Sequence, residues 1–369
     1  MDSLGFVRFL ICISEKEKQS FQPPSLTATL PHDLVLNIVA RVSRSDYPAL
    51  SLVSKHFRSL VASPELYARR SLLGCKEHCL YVVLNDAKSN GNRLYILRRK
   101  TNGSHGLFPV VPSLPFIPYI SSSFVAEGSS IYVFTDVTTL RIDCESHTVQ
   151  PLPSMPAPFL QSHSVANVID GRIYVIGCPR GEVNKDKVIV LVFNTETQMW
   201  ENEMKTFEIE AGEFYHGSVV ISGDKMYTKG FANSYFYEPK ERKWETDGVL
   251  NSQGWWFSCV VDDVLYYYEC CKKELRAYDS KKRCWLVVKG LEALSVETAS
   301  SLWSQTESYC GKLALFFHKG KIGRRSELWC AEISLERSQG GEIWGKVEWC
   351  NHLLTGMKFL YTKSLDVVV

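Results

Sequence analysis

The segment 277-AYDSKKRCW-285 has two near copies in the same chain, 192-VFNTETQMW-200 and 236-FYEPKERKW-244. Each reads as the end of one strand, a polar turn, and the tryptophan of the next strand. Upstream of each lies a second shared pattern, a small or acidic turn followed by an alternating apolar strand with an aromatic near its start. It recurs in 128-GSSIYVFT-135, 170-DGRIYVIG-177, 223-GDKMYTKG-230, 262-DDVLYYYE-269 and 311-GKLALFFH-318. The turn survives without its tryptophan in 140-LRIDCESHTVQPLP-153, and 343-IWGKVEW-349 supplies the last copy. The period is about 40–50 residues with four strands per unit, the spacing of a β-propeller. Units fall near 80–116, 117–158, 159–210, 211–250, 251–295 and 296–352, which predicts six blades. The terminal stretch 357-MKFLYTKSLDVVV-369 is placed to pair back and close the ring, since an open blade leaves unpaired strand edges. Trp200, Trp244 and Trp285 recur with the repeat and are expected to pack between blades.

Before the repeats the pattern is helical. In 30-LPHDLVLNIVARV-42, Asp33, Asn37 and Arg41 form one narrow polar stripe, and apolar residues fill nearly everything else. Pro31 suits the first turn, Thr29 is placed to cap, and the helix is expected to reach about Val42. Pro48 opens a second helix with Leu50, Val53, Phe57 and Leu60 on one face; Ser63-Pro64 opens a third, through about Leu73. Three short helices in about 45 residues are marginal alone, so another protein is expected to cover the surplus apolar surface.

These residues carry a resemblance. The run 30-LPHDLVLNIVARV-42 followed by 50-LSLVSKHFRSL-60 resembles an F-box, with phenylalanine at Phe57 where the family usually has tryptophan. The repeats resemble kelch repeats in degenerate form, since only 176-IGC-178 and 229-KGF-231 keep one glycine of the usual pair. The wording 47-YPALSLVSKHFRSLVASPELYARRS-71 is similar to the plant group of F-box/kelch-repeat proteins. The implied fold is mainly β: a mobile leader over 1–24, a three-helix F-box over 25–73 and a kelch propeller over 79–369. The implied function is the non-catalytic substrate receptor of a Skp1–cullin–F-box ubiquitin ligase, in the cytoplasm or nucleus. A Skp1-like adaptor, and through it cullin and RING subunits, would meet Leu30, Pro31, Leu34, Ile38 and Val53, and the propeller would hold a target protein. Kelch-type propellers commonly use residues entering the innermost strands; counting back eleven residues from the aligned aromatic position gives Ser121, His163, His216, Trp255 and Trp303, with Tyr215 and Trp256 beside them. Two basic loops on that face, 179-PRGEVNKDK-187 and 319-KGKIGRRSE-327, read as solvated, although Lys319, Lys321, Arg324 and Arg325 could attract an acidic or phosphorylated target.

Bulk composition agrees with an ordinary globular chain, at 45% hydrophobic and 22% charged. A net charge of +2 gives no global pull toward nucleic acid or an anionic membrane. The 12 cysteines are scattered and read as reduced thiols; 75-CKEHC-79 lacks a second pair for zinc, so no metal or cofactor is expected. The leader 1-MDSLGFVRFLICIS-14 is interrupted by Arg8 and lacks the marks of a signal peptide, and 15-EKEKQSFQPPS-25 reads as a linker. There is no GxSxG, HExxH, P-loop or GxGxxG in a fitting context. The alternatives are a kelch interaction scaffold without a ligase role and, further off, a propeller enzyme with a metal at His163 and His216.

Overall fold

The structure is a computed structural model that describes residues 30–369 apart from 87–90, 101, 111–121, 136–137, 158, 180–186, 202–204, 209–213, 222–224, 231–232, 302, 321–326 and 356–358. The leader, Thr29, Ser121, most of 179–187 and the basic residues Lys321, Arg324 and Arg325 therefore lie outside the described residues.

The helical module contains α1 (His32–Val39), a 3-10 turn (Arg44–Asp46), α2 (Tyr47–Val53), α3 (Lys55–Leu60) and α4 (Pro64–Leu72). It departs from the sequence reading in three places. Pro31 stands just outside α1, in an extended conformation, and α1 ends at Val39 rather than Val42. The second helix is two helices, because Ser54 is fully extended and its hydroxyl accepts the Phe57 N–H at 3.2 Å, capping α3. The Ser63 cap on α4 forms as expected, accepting from the Leu66 N–H at 3.3 Å. Val35, Leu36, Val39, Leu50, Phe57, Leu60, Leu66 and Tyr67 form the core of the module.

The rest is a six-bladed β-propeller. Its first blade begins with β1 (His78–Asp86), β2 (Gly91–Arg99) and β3 (His105–Pro109). The second contains β4 (Ser122–Glu127), β5 (Ser130–Thr135), β6 (Thr139–Asp143) and β7 (Thr148–Leu152). The third contains β8 (Phe159–Ile169), β9 (Arg172–Pro179) and β10 (Lys187–Asn194), with β11 (Met199–Trp200) and β12 (Lys205–Glu208) both paired to β10. The fourth is β13 (Phe214–Ile221), β14 (Lys225–Gly230), β15 (Ser234–Glu238) and β16 (Lys243–Thr246). The fifth is β17 (Cys259–Val261), β18 (Val264–Glu269), β19 (Glu274–Asp279) and β20 (Cys284–Val287), followed by a short helix, α5 (Glu292–Glu297). The sixth is β21 (Ser304–Tyr309), β22 (Lys312–Lys319), β23 (Glu327–Arg337) and β24 (Ile343–Thr355). Strand β25 (Phe359–Val368) then returns to pair antiparallel with β1, from His78↔Val368 to Asp86↔Phe359. The first blade thus takes its innermost strand from the far end of the chain, and the ring is closed.

Turn chemistry explains why the repeat is visible. Between third and fourth strands, Asp143, Asn194 and Asp279 each accept two backbone N–H groups from the residues two and three further on. The chain leaves those turns through a residue of positive φ, His147, Gln198 and Arg283, as the fourth blade does through Arg242. Between first and second strands, Asp170-Gly171, Asp262-Asp263 and Cys310-Gly311 all have positive φ, as a two-residue type I′ hairpin requires.

Apolar clusters fill the spaces between successive blades. Tyr132, Phe134 and Phe193 sit between the second and third, and Leu80, Val82, Phe316 and Leu328 seal the sixth against the first. Trp200 packs against Phe134 and Phe193 and donates its indole N–H to the Pro153 carbonyl at 2.8 Å. Trp285 does the same with Tyr267, Tyr278 and the Val249 carbonyl.

The helical module is tied to one face of the ring. The Arg44 guanidinium donates to the Cys144 carbonyl at 2.8 Å and lies over the Tyr67 ring. Glu77, at the exit from the module, exchanges backbone hydrogen bonds with Val369 at 2.7 and 3.0 Å. Cys144 and the start of β1 belong to the face that carries the first-to-second and third-to-fourth strand turns, the turn face. The connections into the innermost strands, and those between second and third strands, open on the opposite, entry face.

Candidate functional site

Two surfaces stand out, one on each side of the molecule. On the helical module, α1 buries Val35, Leu36 and Val39 but leaves Leu34 45% exposed, with Leu30 just before it at 39%. Leu52 on α2 is 78% exposed, although Leu50 two residues earlier is sealed. Pro31 is exposed, and Ile38 and Val53 are half-buried, with Val53 against the module core. Of the five residues expected at the adaptor contact, Leu30, Pro31 and Leu34 therefore present open surface, while Ile38 and Val53 lie beneath it. Leu52 was not singled out, because it falls off the Leu50–Val53–Phe57–Leu60 stripe; its position off that face was the available signal.

The second surface is the entry face over the fourth, fifth and sixth blades, built by the connection between β16 and β17. That connection is pinned at both ends. Trp285 donates to Val249, the Tyr267 hydroxyl donates to the Gln253 side chain at 3.2 Å, and the Ser234 N–H donates to the Asn251 side chain. Beyond it, the Thr306 N–H and hydroxyl both donate to the Phe257 carbonyl, at 2.9 and 3.0 Å, reaching across to β21 of the next blade.

Three consecutive aromatics on this connection meet different fates. Trp255 is fully buried among Tyr227, Phe236, Leu250, Leu265 and Tyr267, and its indole N–H donates to the Ser234 hydroxyl at 3.0 Å. It was expected at the mouth, but it leaves no face for a target: a 3-10 turn at Leu250–Ser252 folds the connection back onto the fourth blade. Trp256 is half-buried, with the Lys229 ammonium 5.5 Å from its ring centroid. Phe257 has φ +55°, a left-handed conformation costly for so bulky a residue, and its ring lies 6.0 Å from Trp303. Trp303, immediately before β21, also packs 5.0 Å from His318 at the end of β22. Burial holds the His318 imidazole below its ordinary value, against the opposing pull of its bond to the Glu327 backbone.

His163 and His216 lie on β8 and β13, both innermost strands, within stretches where the pairing register shifts (Phe159/Ser164 and Phe214/Ser218). Tyr215 shares β13 with His216. The structure thus brings Trp256, Phe257, Trp303, His318 and Lys229 together, of which sequence reasoning had named only Trp256 and Trp303. Lys319 is engaged elsewhere, paired with Glu297 and lying 3.7 Å over Trp329. In the 75–79 run, His78 pairs with Asp366 at 2.8 Å and Cys79 is buried in the cluster between the first two blades.

The comparisons with known proteins follow the same division. The F-box domain profile matches residues 28–69, and the FKB95 Kelch-repeats domain profile matches residues 89–354. The chain is 43% identical to the F-box/kelch-repeat protein At4g38940 of Arabidopsis thaliana over 365 residues, covering 94% of this chain and 96% of that protein. It is 38% identical to At4g39240 of the same plant, covering 88% and 86%, and 36% identical to At4g39550, covering 92% and 95%. An F-box module on the turn face of a six-bladed kelch propeller, with relatives alike over almost the whole length, places this chain in the F-box/kelch-repeat family.

Proposed function

We propose that this chain is the substrate-recognition subunit of a Skp1–cullin–F-box ubiquitin ligase. Its helical module docks a Skp1-like adaptor, and through it cullin and RING subunits, while the entry face of the propeller holds a target protein. The chain contributes proximity and orientation, and the transfer chemistry belongs to its partners. The reading places it in the cytoplasm or nucleus, where such ligases work.

The observation that carries this reading is the exposed leucine set of the module. Leu30, Leu34 and Leu52 stand open beside a well-packed core. Burying three leucine side chains contributes about 1.5–3 kcal/mol each where the contact is complete, a sufficient anchor for a partner helix. The two surfaces lie on opposite faces, so an adaptor on one leaves the other free for a target.

The test is co-expression with a Skp1-type adaptor, comparing the wild-type chain with Leu34→Lys and Leu52→Lys. The substitutions fall on exposed positions, so thermal stability should hold while adaptor capture drops by at least about tenfold. Undiminished capture by both variants refutes the docking surface. Cullin recovered with the adaptor separates a ligase subunit from a kelch scaffold: a scaffold brings down no cullin.

A further inference from the structure

Lys229 is the last residue but one of β14, on the entry face, and is only 5% exposed. Burying an ammonium is expensive unless a counter-charge answers it. Among the described residues no carboxylate pairs with Lys229; its neighbour is the face of Trp256. An ammonium over an indole recovers about 0.5–2 kcal/mol, less than full desolvation costs. The lack of a counter-charge also shows in the lysine's basicity, which burial alone pulls below the ordinary value. Folding has thus already stripped much of the water from a cation, so an arriving anion meets a group whose desolvation is largely complete.

The neighbouring residue adds the second half. Trp256 and Phe257 are consecutive, so their Cα atoms stand about 3.8 Å apart. Phe257, held in its left-handed conformation by the two bonds from Thr306, turns toward Trp303, and the rings of Phe257, Trp303 and His318 form one half-buried aromatic wall. A charged anchor and an apolar wall therefore meet at one connection. We propose that the entry face recognises an extended acidic–apolar peptide segment of the target, with an aspartate or glutamate carboxylate on Lys229 and a leucine-sized or aromatic side chain one or two positions away against Phe257 and Trp303. Two side chains at i and i+2 of an extended strand point the same way about 7 Å apart, which matches anchors on consecutive residues with long side chains. A single lysine suits a monoanion. A phosphate dianion would keep a net negative charge beside apolar rings.

This inference rests on the entry face being the target face, and its test is kept separate from adaptor docking. A phage-displayed random dodecapeptide library is selected on the full chain, with adaptor capture scored independently on the same sample. The expected outcome is enrichment of peptides with Asp or Glu within two positions of Leu, Ile, Met, Phe or Trp. Changing that acid to its amide should weaken binding to the wild-type chain at least about tenfold. Lys229→Met should remove the same factor for the acidic peptide and change the amide peptide less than about twofold. Because the amide comparison uses the unaltered chain, it decides the matter even if Lys229→Met folds poorly. No enrichment, enrichment without an acid, or a phosphoserine version that binds more tightly than the acid overturns the proposal. An acid preference without adaptor capture sinks the ligase reading and leaves this one standing; the converse does the opposite.

Discussion

Arg70→Met tests how the helical module is held together. Arg70 is 1% exposed, and one guanidinium nitrogen donates to the Ala40 carbonyl at 3.0 Å, the Val42 carbonyl at 2.8 Å and the Tyr47 hydroxyl at 3.1 Å. Another nitrogen pairs with Glu77 at 3.0 Å. Ala40 and Val42 follow the end of α1, where carbonyls have no partner along the helix, so this side chain caps α1 from a distance. Burial, partly offset by Arg70, pushes the Tyr47 hydroxyl up to about 12, so it stays neutral and Glu77 alone answers the charge. Methionine fills the volume but strands two carbonyls, while the partly exposed Glu77 carboxylate keeps the Arg44 N–H at 3.1 Å and the Ser43 hydroxyl at 3.4 Å. Each stranded carbonyl costs about 1–3 kcal/mol, so the expected loss is about 2–6 kcal/mol. The chain permits a clean assay, because all nine tryptophans lie at or beyond Trp200, in the propeller. Far-ultraviolet circular dichroism should report an early loss of helix while the tryptophan emission transition stays in place. A loss under about 1 kcal/mol, or a tryptophan transition that shifts with the helical one, would refute the reasoning.

Two other perturbations follow from the ring. Glu307 on β21 accepts from the Ser364 hydroxyl of β25 at 3.1 Å; burial, against the pull of Lys363 and Ser364, pushes its carboxyl up to about 7. The unfolded chain releases this proton near 4.5 and the folded chain near 7, so the group costs stability as pH climbs through that window. Glu307→Gln should match wild type below the window and exceed it above, by on the order of 1–3 kcal/mol in denaturant titrations; a constant difference across pH would contradict this. Gly290 has φ +80°, and an added Cβ would stand 2.8 Å from the Gly345 carbonyl oxygen, so Gly290→Ala should cost about 2–3 kcal/mol by tryptophan-monitored unfolding.

What the sequence made legible was local. The repeat could be read because its turns are built by nearby residues: Asp279 binds N–H groups two and three positions on, and Asp170-Gly171 supplies its own positive φ. The exposed leucines Leu30 and Leu34 could be read because a helix with one narrow polar stripe cannot bury every other face in so small a unit. The buried cations could not. Arg44 finds its acceptor 100 residues away at Cys144, and Arg70 binds carbonyls 28 and 30 residues earlier. The mouth was partly misread for a related reason. Counting back a fixed number of residues assumes equal connections, whereas the turn at Leu250–Ser252 shortens the path and sends Trp255 inward, leaving Trp256 and Phe257 at the surface. Lys229 and His318 belong to other strands, and only closure of the ring brings them alongside.

Closure of the first blade by β25 also sets a timetable for the newborn chain. The helical module emerges from the ribosome before the propeller and can condense at once, since its core is made within 30–73. Strands β1 to β3 emerge next, yet their inner edge stays bare until β25 arrives, after every other described strand. Until β25 arrives the propeller is an arc with two sticky ends, and that one strand turns it into a closed body. A premature stop in that short stretch should therefore be nearly as damaging as one far upstream, and a chaperone would have to guard the β1 edge for almost the whole of translation.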